Sequence, residues 1–223
     1  MIRVQGIDNM NTDRFQLNIG DDGVSAEWVI PDKPVAAMTL AHGAGAGMDH
    51  PFMKRLAEEL ARLQIATLRF NFLYMEKRSK RPDPPARTHA VISAAADVAR
   101  KTFPNVPLLL SGKSFGGRMS SQWLAAHPDR SVNGTVFFGF PLHPPGKPGT
   151  ERADHLKNID VPMLFLQGTR DEFATHDLLN GVCGVLPGSS LRWFEGADHS
   201  FKCGKQDLIP ELAKAVLGWL PEI

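Results

Sequence analysis

Two stretches near the N-terminus alternate apolar and polar positions. "FQLNI" (15–19) and "VSAEWVI" (24–30) read as strands around the turn "GDDG", which makes a hairpin. Beyond residue 34 short apolar runs alternate with helical patterns. "AAMTLA" (36–41), "IATLRF" (65–70), "VPLLLS" (106–111), "GTVFFGF" (134–140), "VPMLFLQG" (161–168) and "SLRWF" (190–194) read as strands apolar throughout. Parallel strands covered by helices on both faces have that composition. Between them, 51–63 places Phe52, Leu56, Leu60 and Leu63 on one helical face. Helices are also predicted over 88–102, over 115–126 with a stop at His127-Pro128, near 177–186, and from about 206 to 220. This order predicts an α/β fold: a mostly parallel, doubly wound sheet with an antiparallel N-terminal edge. Its crevice lies at the carboxyl ends of the strands.

Composition narrows the picture without changing it. The 223 residues, 43% of them hydrophobic, suit one domain spanning 1–223 with a full core. With 25 Lys and Arg against 24 Asp and Glu, net charge gives no case for nucleic acid or an anionic membrane. Cys183 and Cys203 make no disulfide scaffold and suit a reducing compartment. The N-terminal residues lack the apolar core of a leader, and no apolar run is long enough to span a bilayer. A cytoplasmic protein, monomeric or a small homo-oligomer, is expected.

"SGKSFGG" (111–117) carries the chemistry, and it reads two ways. Gly112-Lys113-Ser114 ends like a P-loop. A P-loop needs a glycine five positions before the second one, and Pro107 stands there, inside strand sequence. Gly112-Lys113-Ser114-Phe115-Gly116 instead fits the G-x-S-x-G elbow. There a serine sits on a sharp strand-to-helix turn, and small neighbours let the two elements approach. An apolar strand precedes it and a helical pattern follows, as that turn requires.

A serine hydroxyl needs a base, and the base needs an orienting acid. Both should follow in the order acid, then histidine, at later strand ends. "LFLQGTRDEF" places Asp171 after one strand, with Glu172 as fallback; "FEGADHSF" places His199 after the last strand and before the final helix. Ser114, Asp171 and His199 are the expected catalytic residues. Two backbone N–H groups should hold a tetrahedral oxyanion. The expected donors are Phe115, next to the serine, and Ala44 in "AHGAGAGMDH", with Gly45 as the alternative.

With these residues in place, "HGAGAGMDHPFM", "GKSFGGRMS", "LFLQGTRDEF" and "GADHSFK" resemble small α/β-hydrolases related to dienelactone hydrolase. The likeness runs from Pro34 to the C-terminus. It is nearest to the branch of bacterial predicted hydrolases and of testis-expressed and chromatin-complex α/β-hydrolase-like proteins. The resemblance implies a nearly lidless serine hydrolase, an esterase, with no cofactor. Dienelactone hydrolases proper use a cysteine nucleophile where this chain has Ser114, so their substrate is not carried over. Peptidase, thioesterase or acyltransferase chemistry would use the same three residues. Some relatives serve in complexes, which leaves a non-catalytic interaction module as the alternative from another class.

The 20 residues from Pro141 are too few for a large cap, so an open site for a small-molecule ester is expected. "EKRSKRPDPPAR" (76–87) reads as a solvated basic loop. Arg118 stands in the first turn of the elbow helix, where the dipole disfavours cations, and calls for a partner such as a carboxylate. Tyr74 and His143 are candidates for pocket lining. Trp123 and Cys203 are expected in the core. No metal-ligand spacing is present.

Overall fold

The computed structural model describes residues 10–128 and 132–220. The opening residues read for a leader, 1–9, lie outside the described residues. The alternating stretches form β1 (Asn11–Ile19) and β2 (Asp22–Ile30), paired antiparallel from Asn11 opposite Ile30 to Ile19 opposite Asp22. Then follow β3 (Ala36–Ala41), α1 (Pro51–Arg62), β4 (Ile65–Phe70), α2 (Leu73–Glu76), α3 (Pro85–Thr102), β5 (Leu108–Lys113) and α4 (Phe115–Ala126). The rest is β6 (Gly134–Phe138), a 3₁₀ segment (Glu151–Asn158), β7 (Met163–Gly168), α5 (His176–Val185), β8 (Ser189–Phe194), β9 (Lys202–Cys203), β10 (Gln206–Asp207) and α6 (Ile209–Trp219).

The main sheet runs β1-β2-β4-β3-β5-β6-β7-β8. β2 meets β4 antiparallel, and β4 through β8 are mutually parallel, so the hairpin is the antiparallel edge. From β3 the chain first steps outward to β4 and then crosses to β5 on the other side. This reversal is the switch point, where the loops after β3 and β5 diverge and leave a crevice.

Both faces of the central strands are buried, which is why they are predominantly apolar. Met38, Leu40, Val136 and Phe138 pack on Met53, Leu56 and Leu60 of α1 and on Leu212, Val216 and Trp219 of α6. Ala37, Ala41 and Phe137 face the other way, into the cluster that holds Ile92 and Ala96 of α3 and Met119 and Trp123 of α4. Each large aliphatic or aromatic chain removed from water contributes about 1.5–3 kcal/mol before entropy is counted. The helix ends are set locally. His50 Nδ1 accepts the Phe52 N–H at 3.2 Å and Pro51 opens α1.

Departures from the sequence reading have local causes. α3 starts at Pro85, three residues early, because a proline fits the first helical position. The one-turn α2 was not expected; the Tyr74 N–H donates to Asp83 Oδ2 at 2.7 Å, and Glu76 accepts from the Ser25 N–H at 2.7 Å. The last helix begins at Ile209, since Gln206 and Asp207 pair with Cys203 and Lys202 instead. β8 is mostly half-buried rather than fully covered, as an edge strand is. Part of the proline-rich stretch after β6 winds into the 3₁₀ segment against α4. No large cap is present among the described residues. None of their helices is long and apolar enough to cross a membrane.

Candidate active site

Ser114 is the single residue between β5 and α4, at φ 50°, ψ −115°. That backbone region is sparsely populated by residues with a Cβ and persists only where its surroundings enforce it. Here they do. A Cβ on Gly112 or Gly116 would collide with backbone atoms, among them the Ala41 carbonyl, so α4 presses directly on β5 and β3. The Ser114 N–H donates to the Phe138 carbonyl at 3.2 Å, and its own carbonyl accepts the Arg118 N–H at 3.1 Å.

The three expected side chains meet. His199 Nε2 lies 2.8 Å from Ser114 Oγ, and His199 Nδ1 lies 2.7 Å from Asp171 Oδ2. The carboxylate can only accept, so Nδ1 carries the proton and Nε2 faces the hydroxyl as acceptor. Asp171 has a fully buried side chain. Its Oδ2 also accepts from Gln167 Nε2 at 2.6 Å, and its Oδ1 from the Phe173 N–H at 2.8 Å. Gln167 Oε1 in turn accepts the Phe140 N–H at 2.8 Å. The Phe173 ring lies 4.2 Å from the His199 ring and backs the imidazole. Glu172 is exposed and takes no part.

The loop after β3 reaches the same point. Gly43, Ala44, Ala46, Ser114 and His199 border a cavity of about 280 Å³, lined also by Phe52, Met53 and Phe173. Among the described residues, no acceptor engages the N–H of Ala44 or of Phe115. The N–H of Gly45, the alternative donor, is directed at Tyr74 Oη at 3.3 Å. The loop is anchored by His42, fully buried at its root. His42 Nδ1 donates to the Gly43 carbonyl at 2.8 Å, and Nε2 accepts the Phe72 N–H at 3.1 Å. Both nitrogens serve only in the neutral ring, and burial pushes its pKa down to about 4.

Other expected residues fall elsewhere. Tyr74 and His143 are buried and line no part of the cavity. His143 Nδ1 donates to the Pro144 carbonyl at 2.9 Å and Nε2 accepts the Thr175 N–H at 3.3 Å. Cys203 is half-buried in β9 rather than in the core, with its thiol 3.4 Å from the Glu195 carbonyl. Trp123 is buried as expected. Arg118 meets no carboxylate among the described residues; its pKa is lowered by burial and by the nearby Arg152. No cluster of three metal-ligating side chains occurs among them either. Gln167 and Lys113 are the site residues that the sequence reading passed over. Gln167 is a polar position inside an otherwise apolar strand, and Lys113 is a charge at the end of a buried one; that was the available signal.

A doubly wound sheet carrying a strained serine elbow at its switch point defines the class: an α/β-hydrolase fold. The family model described as an alpha/beta hydrolase domain matches residues 34–212, and the chain belongs to that family, as a dienelactone hydrolase-like member. It is 37% identical to the carboxymethylenebutenolidase of Rhodococcus opacus over 102 residues, 42% of this chain and 38% of that protein. A Mycobacterium tuberculosis protein bearing a phosphoribosyl transferase name is 25% identical over 215 residues, 94% of this chain and 46% of that one. The chain thus spans less than half the length of the curated relatives it matches. The dienelactone hydrolase structure from Anabaena variabilis superposes with a TM-score of 0.78 at 19% identity, covering 96% of this chain and 98% of that one.

Proposed function

We propose that the chain is a serine hydrolase that cleaves small carboxylic esters through an acyl-enzyme on Ser114. The observation that carries this reading is the unbroken hydrogen-bonded line from Asp171 through His199 to Ser114, at 2.7 and 2.8 Å, on the wall of an open cavity. His199 Nε2 takes the Ser114 proton as Oγ adds to the ester carbonyl. Asp171 holds the imidazole in the Nδ1–H tautomer and stabilises the imidazolium. The oxyanion lies between the N–H groups of Ala44 and Phe115, each worth about 3 kcal/mol in the transition state. Collapse expels the alcohol, which takes the proton from His199. A water then gives its proton to His199 and attacks the acyl carbon; collapse breaks the bond to Ser114 Oγ, which takes that proton back from His199 as the acid leaves.

A fluorophosphonate probe tests the reading directly. Wild type should be labelled at Ser114, and Ser114→Ala should not be labelled. Loss of a nucleophile of this kind cuts turnover by about a million-fold, so p-nitrophenyl acetate hydrolysis should vanish with it. Folded wild type that takes no label would overturn the assignment. Parallel assays with acyl thioesters and aminoacyl amides separate esterase from thioesterase and peptidase turnover.

A further inference from the structure

Lys113 ends β5, immediately before Ser114, and its side chain reaches the loop that carries His199. Its Nζ donates to the backbone carbonyl of His199 at 2.6 Å. The same ammonium lies 5.5 Å from the centre of the Phe201 ring. It also borders Gly139. A Cβ at Gly139 would stand 3.0 Å from Lys113 Nζ and 3.5 Å from His199 Nδ1, so amine and imidazole share one small volume. No carboxylate pairs with Lys113 among the described residues. Asp171 and Asp198 are the charged groups that face it, acting at a distance, and burial outweighs them. A carbonyl and an aromatic face are what a cation takes when its task is to hold rather than to neutralise.

What it holds is the segment that carries His199. That segment is short and strained. Asp198 Oδ1 accepts the N–H groups of Ser200 and Lys202 at 2.8 and 2.9 Å, and Phe201 sits at φ 59°. A bulky residue in that region costs about 1–2 kcal/mol, so something must hold it there. Phe201 stacks on Phe52 and meets Phe194 edge-on, and the Lys113 ammonium closes the remaining side. Nucleophile and base lie 85 positions apart in sequence, and Lys113 links their two segments directly.

We propose that Lys113 is a positioning residue that clamps the His199 segment to the serine elbow and so keeps Nε2 in line with Ser114 Oγ. The inference rests on the catalytic reading above and adds a residue that no triad description includes. Burial brings the amine's pKa down to about 8. A charged donor binds a carbonyl about twice as strongly as a neutral one. The clamp therefore loosens as pH rises through about 8.

Fluorophosphonate labelling and p-nitrophenyl acetate turnover of the full chain, from pH 6 to 10, test this in wild type, Lys113→Met and Lys113→Arg. Misplacing a base by about 1 Å costs up to about a hundredfold, so Lys113→Met should lose about tenfold or more in kcat with KM little changed. Wild-type rate should fall above pH 8, and Lys113→Arg, charged throughout, should keep activity and lack that fall. A Met variant with wild-type kcat overturns the proposal, as does an Arg variant with the same alkaline fall. Should the Met variant fail to fold, Lys113→Gln takes its place: a folded Gln variant with wild-type kcat refutes the clamp. Absence of any wild-type labelling at Ser114 would instead sink the catalytic reading.

Discussion

At the scale of single residues, the site depends on groups kept in one protonation state by burial. His42 is the clearest. Its neutral ring donates to Gly43 and accepts from Phe72, and protonation of Nε2 would set two donors against each other. The folded-state pKa is about 4 against an ordinary 6.5, so the unfolded chain binds the proton first as pH falls. Stability from this group is complete above pH 6.5, declines between 6.5 and 4, and is flat below. The span corresponds to about 3 kcal/mol. His155, held to about 4 by burial and by Arg118, adds in the same window and in the same direction. Urea unfolding at a series of pH values should show this decline, and His42→Gln should be less stable at pH 7 but flatter between 6.5 and 4. An unchanged slope in the variant would remove His42 as the cause. Lys113 acts in the opposite range: its depressed pKa, about 8, makes stability rise between there and 10.5.

At the scale of elements, much was written in the alternation of strands and helices. β3, β4 and α4 run over 36–41, 65–70 and 115–126, as their patterns predict, because central apolar strands and a glycine-led helix leave little freedom in register. The three side chains that meet were legible for the same reason. Elbow and acid each follow a strand with a clear apolar run, and the histidine follows the last strand and precedes the final helix. What was not legible depends on partners distant in sequence. α2 needs Asp83 and Ser25, the Gly45 N–H is taken by Tyr74, and Gln167 matters only once Asp171 and Phe140 lie beside it. The elbow glycines give this scale its prediction. A methyl group at Gly116 would meet the carbonyls of Ala41 and His42, and neither backbone can yield without shifting β3. Overpacking of this kind costs about 1–3 kcal/mol even where side chains can adapt. Gly116→Ala should therefore lower the thermal midpoint and, in the fraction that remains folded, abolish probe labelling. Gly181→Ala, where the added methyl meets open space, is the control and should do neither.

At the scale of the whole molecule, the sheet's switch point sets where substrate can go, and the helices beside it set how much. The crevice between β3 and β5 is roofed by no cap among the described residues, so in the proposed reaction the alcohol side of an ester would face solvent. The acyl side would then enter the cavity of about 280 Å³ bounded by Ala44, Ala46, Phe52, Met53 and Phe173. That volume is at the small end for ligand pockets, which run from about 300 to 1,000 Å³. Met53 lines it, buried at the start of α1 and packed in the core cluster beneath. Each methylene that finds apolar room gains about 0.8 kcal/mol, and each that does not must displace a wall. Specificity (kcat/KM) along a p-nitrophenyl ester series should therefore rise over the first few carbons and fall by about tenfold or more towards decanoyl. Met53→Ala should move the maximum to longer chains while costing about 2–5 kcal/mol of stability. A wild-type optimum at decanoyl, or a maximum that stays in place when Met53 is truncated, would mean that the acyl group lies along the open rim instead.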